Sequence, residues 1–240
     1  MDQLDQLKIA DNTIVFYSTD NGVHYNTWPD AGITPFRSEK NSNWEGAYRV
    51  PAVVRWPGKI KPGQVSNQVM SHLDWMPTLA AAAGDADLKQ ALLKGKRIGD
   101  KNATLHLDGY NFLPYLTGQT ETAPRREFIY HNDEGMPVCV RIDDWKIVFA
   151  ENRAKTMALW AEPFVTLRMF KIFNLRRDPF ERADHNSNTY WDWLIDKAPQ
   201  GYLGTATTAM YLQTFEKYPA SQKPDSWSID KLTDRYLNAD

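Results

Sequence analysis

Asn12-Thr13-Ile14-Val15-Phe16-Tyr17-Ser18 form a continuous apolar, β-rich run that gives way to Asp20-Asn21-Gly22. A run without polar alternation predicts a strand covered on both faces, as in α/β layers, rather than a strand of a one-sided sheet. Leu4, Leu7 and Ile9 precede it at helical spacing, so a helix feeding a buried strand is expected. After a long polar and aromatic loop through Trp44, a second run from Val50 to Trp56 stops at Pro57-Gly58 and reads as another strand.

Asp74 is a plausible cap for a helix through Met76, Leu79 and the following alanines to Gly84, with Pro77 tolerated in its first turn. Residues 87–102 are polar and lysine-rich, a surface helix or excursion, and residues 107–118 form a short packed segment closed by Gly118. The best internal boundary is 119–126, which divides the chain into 1–120, part of an α/β body, and 121–240. In the second part, Phe128-Ile129-Tyr130, Val138-Cys139-Val140-Arg141, Lys146-Ile147-Val148-Phe149 and Ile172-Phe173-Asn174-Leu175 read as strands of an antiparallel sheet. Helices over 190–195, 206–218 and 229–237 would pack on it.

Charge narrows the function classes. Twenty-eight basic residues scattered among 30 acidic ones provide no long-range pull toward nucleic acid or an anionic membrane. No apolar run approaches the roughly 20 residues of a transmembrane helix, and Met1-Asp2-Gln3-Leu4-Asp5 has neither the basic start nor the apolar stretch of a signal peptide. The single cysteine, Cys139, cannot form an internal disulfide, and the compartment stays open.

Chemistry concentrates near the beginning. Asp20-Asn21-Gly22 sits at the carboxyl end of an expected strand, where open α/β sheets place ligands. A carboxylate beside an amide oxygen suits a hard dication such as calcium, with a glycine to let the chain turn. A plain turn is the competing reading, although His24-Tyr25-Asn26-Thr27-Trp28-Pro29 does not resume the alternation of a returning strand. Lys40, in the polar loop before Trp44, could hold a sulfate oxygen and offset charge on a leaving oxygen, or could be a solvated surface lysine.

The ordered set Asp20-Asn21-Gly22, Lys40, Trp44-Glu45-Gly46, Arg49-Val50-Pro51, Arg55-Trp56-Pro57-Gly58, Ser71-His72-Leu73-Asp74, Leu107-Asp108-Gly109, Trp145-Lys146, Phe173-Asn174-Leu175, Asp178-Pro179 and Glu181 resembles the arylsulfatases, the formylglycine-dependent type I sulfatases, over their carboxyl-terminal half. The resemblance implies part of an alkaline-phosphatase-like α/β sandwich followed by a small antiparallel sheet with packed helices. It also implies hydrolysis of sulfate esters, calcium held by Asp20 and Asn21, and a sulfate contact from Lys40 that serves both binding and catalysis. Asn41 and Ala47 stand where the family often has glycine.

The family makes formylglycine from Cys or Ser in a Cys/Ser-x-Pro/Ala-x-Arg motif, and no such motif occurs here. Cys139 is followed by Val140-Arg141, and Thr122-Ala123-Pro124-Arg125-Arg126 copies the spacing with a threonine that cannot yield the aldehyde. The nucleophile and the early metal aspartates are therefore expected in an amino-terminal half not carried here, and the chain alone is expected to be inactive. The alternatives are a non-catalytic remnant or partner-binding fragment, and a phosphate or phosphonate ester hydrolase of the same superfamily. Without that half, an exposed apolar edge predicts self-association or pairing with it. Family members are often periplasmic or secreted.

Overall fold

A computed structural model describes residues 1–30, 32–220 and 233. The helix expected over 229–237 falls, Thr233 apart, outside the described residues. In chain order the elements are α1 (Asp2–Gln6), β1 (Val15–Ser18), α2 (Glu45–Tyr48), β2 (Ala52–Arg55), α3 (Trp75–Ala82), α4 (Leu88–Lys94), β3 (Lys96–Ile98), β4 (Lys101–Ala103) and α5 (Leu113–Leu116), followed by β5 (Glu127–His131), β6 (Pro137–Ile142), β7 (Trp145–Glu151), β8 (Val165–Asn174), α6 (Ala183–Asn186), α7 (Tyr190–Asp196) and α8 (Ala198–Lys217). Among the described residues no helix is long and apolar enough to cross a membrane.

The first strand forms, but β1 and β2 make a two-stranded antiparallel pair with Phe16 opposite Val54 and Tyr17 opposite Val53. Burial on both faces does not follow. Phe16 leans on Trp75 at 4.2 Å between ring centroids, whereas Tyr17 and Val53 on the opposite face are 69% and 62% exposed. A hydrophobic run reports that a strand can be covered, and covering it takes an element that the described residues do not supply.

The helix over 75–82 forms with Asp74 at its N-cap position, but the Asp74 side chain does not cap it. Ser71 takes the N-cap role for the 3-10 turn His72–Asp74 that leads into α3: its hydroxyl accepts from Leu73 N, while Asp74 Oδ2 accepts from Ser71 N at 2.7 Å. Asp74 is thus the reciprocal partner of a capping box. Its Oδ1 accepts the amide of Tyr110 at 2.7 Å, so the same buried carboxylate ties α3 to the segment before α5.

Strands β5 to β8 form a four-stranded antiparallel meander, registered with Val140 opposite Ile147 and Lys146 opposite Phe173. Period-two alternation gives the sheet two different faces. Phe173 points to Trp44, whose ring it meets edge-on at 5.7 Å, and Trp44 joins a core with Tyr130, Val138, Cys139, Val148, Ala150 and Leu175. Ile172 points the other way, to Tyr190 and Leu194 of α7. Residues on both sides of position 120 therefore meet in one core. Helix α8 starts eight residues before the sequence-based estimate, because two glycines that look like helix breakers are its contact surface. A Cβ on Gly201 would lie 2.1 Å from the Phe170 ring, and one on Gly204 would lie 2.9 Å from Ile147.

Candidate functional site

Asp20 and Asn21 follow β1 directly, on a strand end pinned by the Ser18 hydroxyl donating to Pro51 O at 2.8 Å. The Thr19 hydroxyl lies 3.2 Å from both Asp20 Oδ1 and Asn21 O. Gly22 is needed for space: its φ lies outside the left-handed range, but a Cβ there would sit 1.8 Å from Gly46 O. Its amide donates to Ala47 O at 2.7 Å. The sequence-based reason for this glycine, freedom to turn, gives way to close approach of two backbones.

The loop bearing Lys40 is locked to the same unit. Ser38 and Asn41 take left-handed φ of 61° and 71° on either side of it, a conformation that asparagine and glycine tolerate best. Lys40 N donates to Val23 O at 2.9 Å, and Gly46 N donates to Arg37 O at 2.8 Å. A Cβ on Gly46 would lie 2.1 Å from Ser38 O. The neighbouring Glu39, 1% exposed, spends its carboxylate on two backbone amides, Tyr25 N at 2.6 Å and Thr156 N at 3.0 Å. Burial, and then the Glu39 charge, push the Tyr25 phenol above its usual pKa. Strand end, lysine loop and α2 are thus tied together by backbone hydrogen bonds.

Asp20, Asn21 and Lys40 all line one open concavity of about 2730 Å³, together with Phe16, His72 and Trp160. Lys40 Nζ stands 5.8 Å from the centroid of the Trp160 ring. Asp20 is exposed and Asn21 and Lys40 half-buried, so each can reach a ligand. The hard oxygen donors fit a calcium ion in kind, but two residues fall short of the six to eight ligands it takes. Among the described residues no cluster of three or more His, Cys, Asp or Glu completes the set. Asp20 and Asn21 by themselves leave a calcium shell incomplete.

Under this surface lies a charge cluster that sequence reasoning missed. Lys146, fully buried, reaches Glu45 Oε1 at 3.1 Å and Glu181 Oε1 at 2.8 Å. Glu181 Oε2 accepts the amide of Glu45 at 2.7 Å, and the Tyr130 hydroxyl donates to Glu45 Oε1 at 2.7 Å. Burial alone would raise the Glu45 pKa, but Lys146, the Tyr130 hydroxyl and Arg141 outweigh it and hold that carboxyl below the usual range. For Glu181, burial and the Glu45 charge win over Lys146, and its pKa goes up. The signal was available in the spacing, since Trp44-Glu45-Gly46, Trp145-Lys146 and Glu181 each stood out as isolated pieces. Nothing local said they would touch.

The decoys resolve structurally. Cys139 is fully buried beside Asn43, and burial pushes its thiol up to about 12. Arg125 of the false motif is spent on Asp74 at 2.6 and 2.9 Å. His24 takes the indole N–H of Trp160 at 3.3 Å. His106 lies 3.0 Å from Asp108, His131 meets Tyr211 with the rings tilted by 59°, and His185 lies 2.8 Å from Arg37 Nη2. His72 meets Phe16 edge-on at 6.2 Å.

Comparison with known proteins gives these residues a setting. The sulfatase family model matches residues 1–85. Steryl-sulfatase of Mus musculus is 34% identical over 134 residues, covering 53% of this chain and 19% of its own length. Arylsulfatase of Hemicentrotus pulcherrimus is 29% identical over 157 residues, covering 65% and 25%. The PsFucS1 sulfatase of Pseudoalteromonas sp. superposes with a TM-score of 0.73 at 26% identity, over 92% of this chain and 40% of that one. The chain therefore spans a fifth to a quarter of the length of these curated relatives. The expected fold class, a partial alkaline-phosphatase-like α/β body followed by a small antiparallel sheet with helices, agrees with the sulfatase structure it superposes on.

Proposed function

This chain carries a sulfatase-family segment over residues 1–85, and from that premise we propose that it is the metal- and sulfate-holding part of an arylsulfatase-type sulfuric ester hydrolase. In this reading Asp20 and Asn21 hold a calcium ion and Lys40 holds a sulfate oxygen. A bound calcium would supply positive charge that neutralises the sulfate and orients it. The Lys40 ammonium keeps its own oxygen contact through the reaction and offsets charge growing on the departing alcohol or phenol oxygen. Backbone ties through Gly22, Gly46 and Val23 hold these groups in place beforehand, which is the costly part of positioning.

The observation that supports this reading is that all three residues line one broad concavity from a single hydrogen-bonded unit. No Cys/Ser-x-Pro/Ala-x-Arg motif occurs in the 240 residues, so the nucleophile comes from elsewhere and the chain by itself does not turn over. That half of the proposal is tested with p-nitrophenyl sulfate and calcium, where robust saturable hydrolysis by the purified chain would contradict it. The other half is tested by binding. Calcium should raise the thermal midpoint of the unaltered chain and leave Asp20→Ala unmoved, and inorganic sulfate should bind the unaltered chain more tightly than Lys40→Ala. Equal behaviour of variant and parent in both assays would favour a non-catalytic remnant, and tighter binding of phosphate than sulfate would favour the phosphate ester alternative.

A further inference from the structure

Trp160 is held in the open. The residue is 50% exposed, yet the backbone beneath its ring is secured from three sides. The Asn41 amide donates to Leu159 O at 2.9 Å, the Asn152 amide donates to the same oxygen at 3.1 Å, and Glu39 holds Thr156 N at the start of the 3-10 turn Thr156–Trp160. Leu159, next along the chain, is 2% exposed and anchors the turn in the core. The indole N–H is already satisfied by His24 Nε2, at 3.3 Å, with the rings edge-to-face. The half-exposed indole, its polar edge fixed, has the Lys40 ammonium over its ring at 5.8 Å from the centroid and lines the same concavity as Asp20 and Asn21. Fixing an indole this way removes the entropy it would otherwise lose on binding, and its face suits the C–H-rich side of a sugar or the π face of an aryl ring.

We propose that Trp160 is the platform on which the ring bearing the sulfate ester stacks, a specificity-determining residue next to Lys40. The proposal rests on reading Lys40 as the sulfate ligand. With the sulfate on that ammonium, the carbon skeleton lies against the indole, so the platform selects esters of six-membered rings over small acyclic ones. The residue comes from the turn between β7 and β8, so the second part of the chain chooses the alcohol while the first part holds the sulfate.

Calorimetric titration of the 240-residue chain in calcium, with galactose 6-sulfate, phenyl sulfate and inorganic sulfate as probes, tests this. Trp160→Ala is expected to weaken at least one ring-bearing probe roughly tenfold while leaving inorganic sulfate unchanged, and Trp160→Phe to retain most of the affinity. The ring probe that loses more tells a sugar from an aryl group. Lys40→Ala is expected to weaken all three. If Trp160→Ala leaves both ring probes unchanged while Lys40→Ala weakens all three, the platform is wrong and the lysine reading stands. If Trp160→Ala weakens inorganic sulfate as much as the ring probes, the indole only orients Lys40 and the platform is again wrong. Lys40→Ala without effect, or no saturable binding by the unaltered chain, would sink both. An unchanged thermal midpoint for Trp160→Ala shows that the half-exposed ring was not holding the fold.

Discussion

At the scale of single residues, the buried lysine is the group on which most depends. Lys146 is ion-paired with two carboxylates in a place water does not reach, and removing one partner of such a set leaves uncompensated charge. Lys146→Met should therefore destabilise by about 3–5 kcal/mol, measured by urea unfolding. The two glutamates should not be equivalent. Glu45, held below its usual pKa, contributes stability that is present above about pH 4.5 and is lost as pH falls through its folded value. Glu181, raised, acts with the opposite sign: the folded state keeps its proton longer than the unfolded state, so stability falls as pH rises from the usual carboxylate range through the raised value. Glu45→Gln should thus cost more at pH 7 than Glu181→Gln, and equal unfolding midpoints would contradict this assignment. Cys139 gives a separate check. With its thiol pushed up to about 12 inside the core, it should resist iodoacetamide at pH 8 in the folded chain and react once urea unfolds it.

At the scale of elements, the site is built by backbone contact between three segments, and two glycines permit that contact. Gly46→Ala places a methyl 2.1 Å from Ser38 O, where the obstacle is backbone and cannot rotate away. Overpacking of this kind costs about 1–3 kcal/mol or more, and here it should also reduce the calcium-induced rise in thermal midpoint, because α2 and the Lys40 loop would separate. Gly32, whose Cβ position is open and whose φ lies outside the left-handed range, is the control. Gly32→Ala should be neutral or slightly stabilising, and a loss comparable to that of Gly46→Ala would argue against close approach as the reason. The cap before α3 is a smaller effect of the same kind: Ser71→Ala should cost about 1 kcal/mol by thermal melting.

At the scale of the whole molecule, the two ends of the chain differ in how well they cover themselves. The sheet β5–β8 has both faces packed, by Trp44 on one side and by α7 and α8 on the other. The β1–β2 pair, the 3-10 turn His72–Asp74 and α3 leave Tyr17, Val53, Leu73, Met76 and Leu79 between 46% and 69% exposed. An apolar surface of that kind, next to a two-stranded edge, favours association. Sedimentation velocity of the chain should show concentration-dependent self-association, reduced in Val53→Lys. A clean monomer at all concentrations would show that this face is tolerated in water.

The sequence by itself determined the strands of the carboxyl-terminal sheet, because Val138 to Arg141 and Lys146 to Phe149 are short β-rich runs set off by turn clusters such as Asp143-Asp144, and such patterns are local. It also singled out Asp20, Asn21 and Lys40, through a resemblance carried by ordered motifs. Only the tertiary structure decided what lay between them. That Glu45, Lys146 and Glu181 share one buried charge balance, that Gly22 and Gly46 are spacers rather than hinges, and that Trp160 stands beside Lys40 are all contacts between residues far apart in the chain. Periodicity and capping act over a few residues and leave their mark on the sequence. Desolvation, charge pairing and close approach depend on which surfaces meet, and that is set by the whole fold.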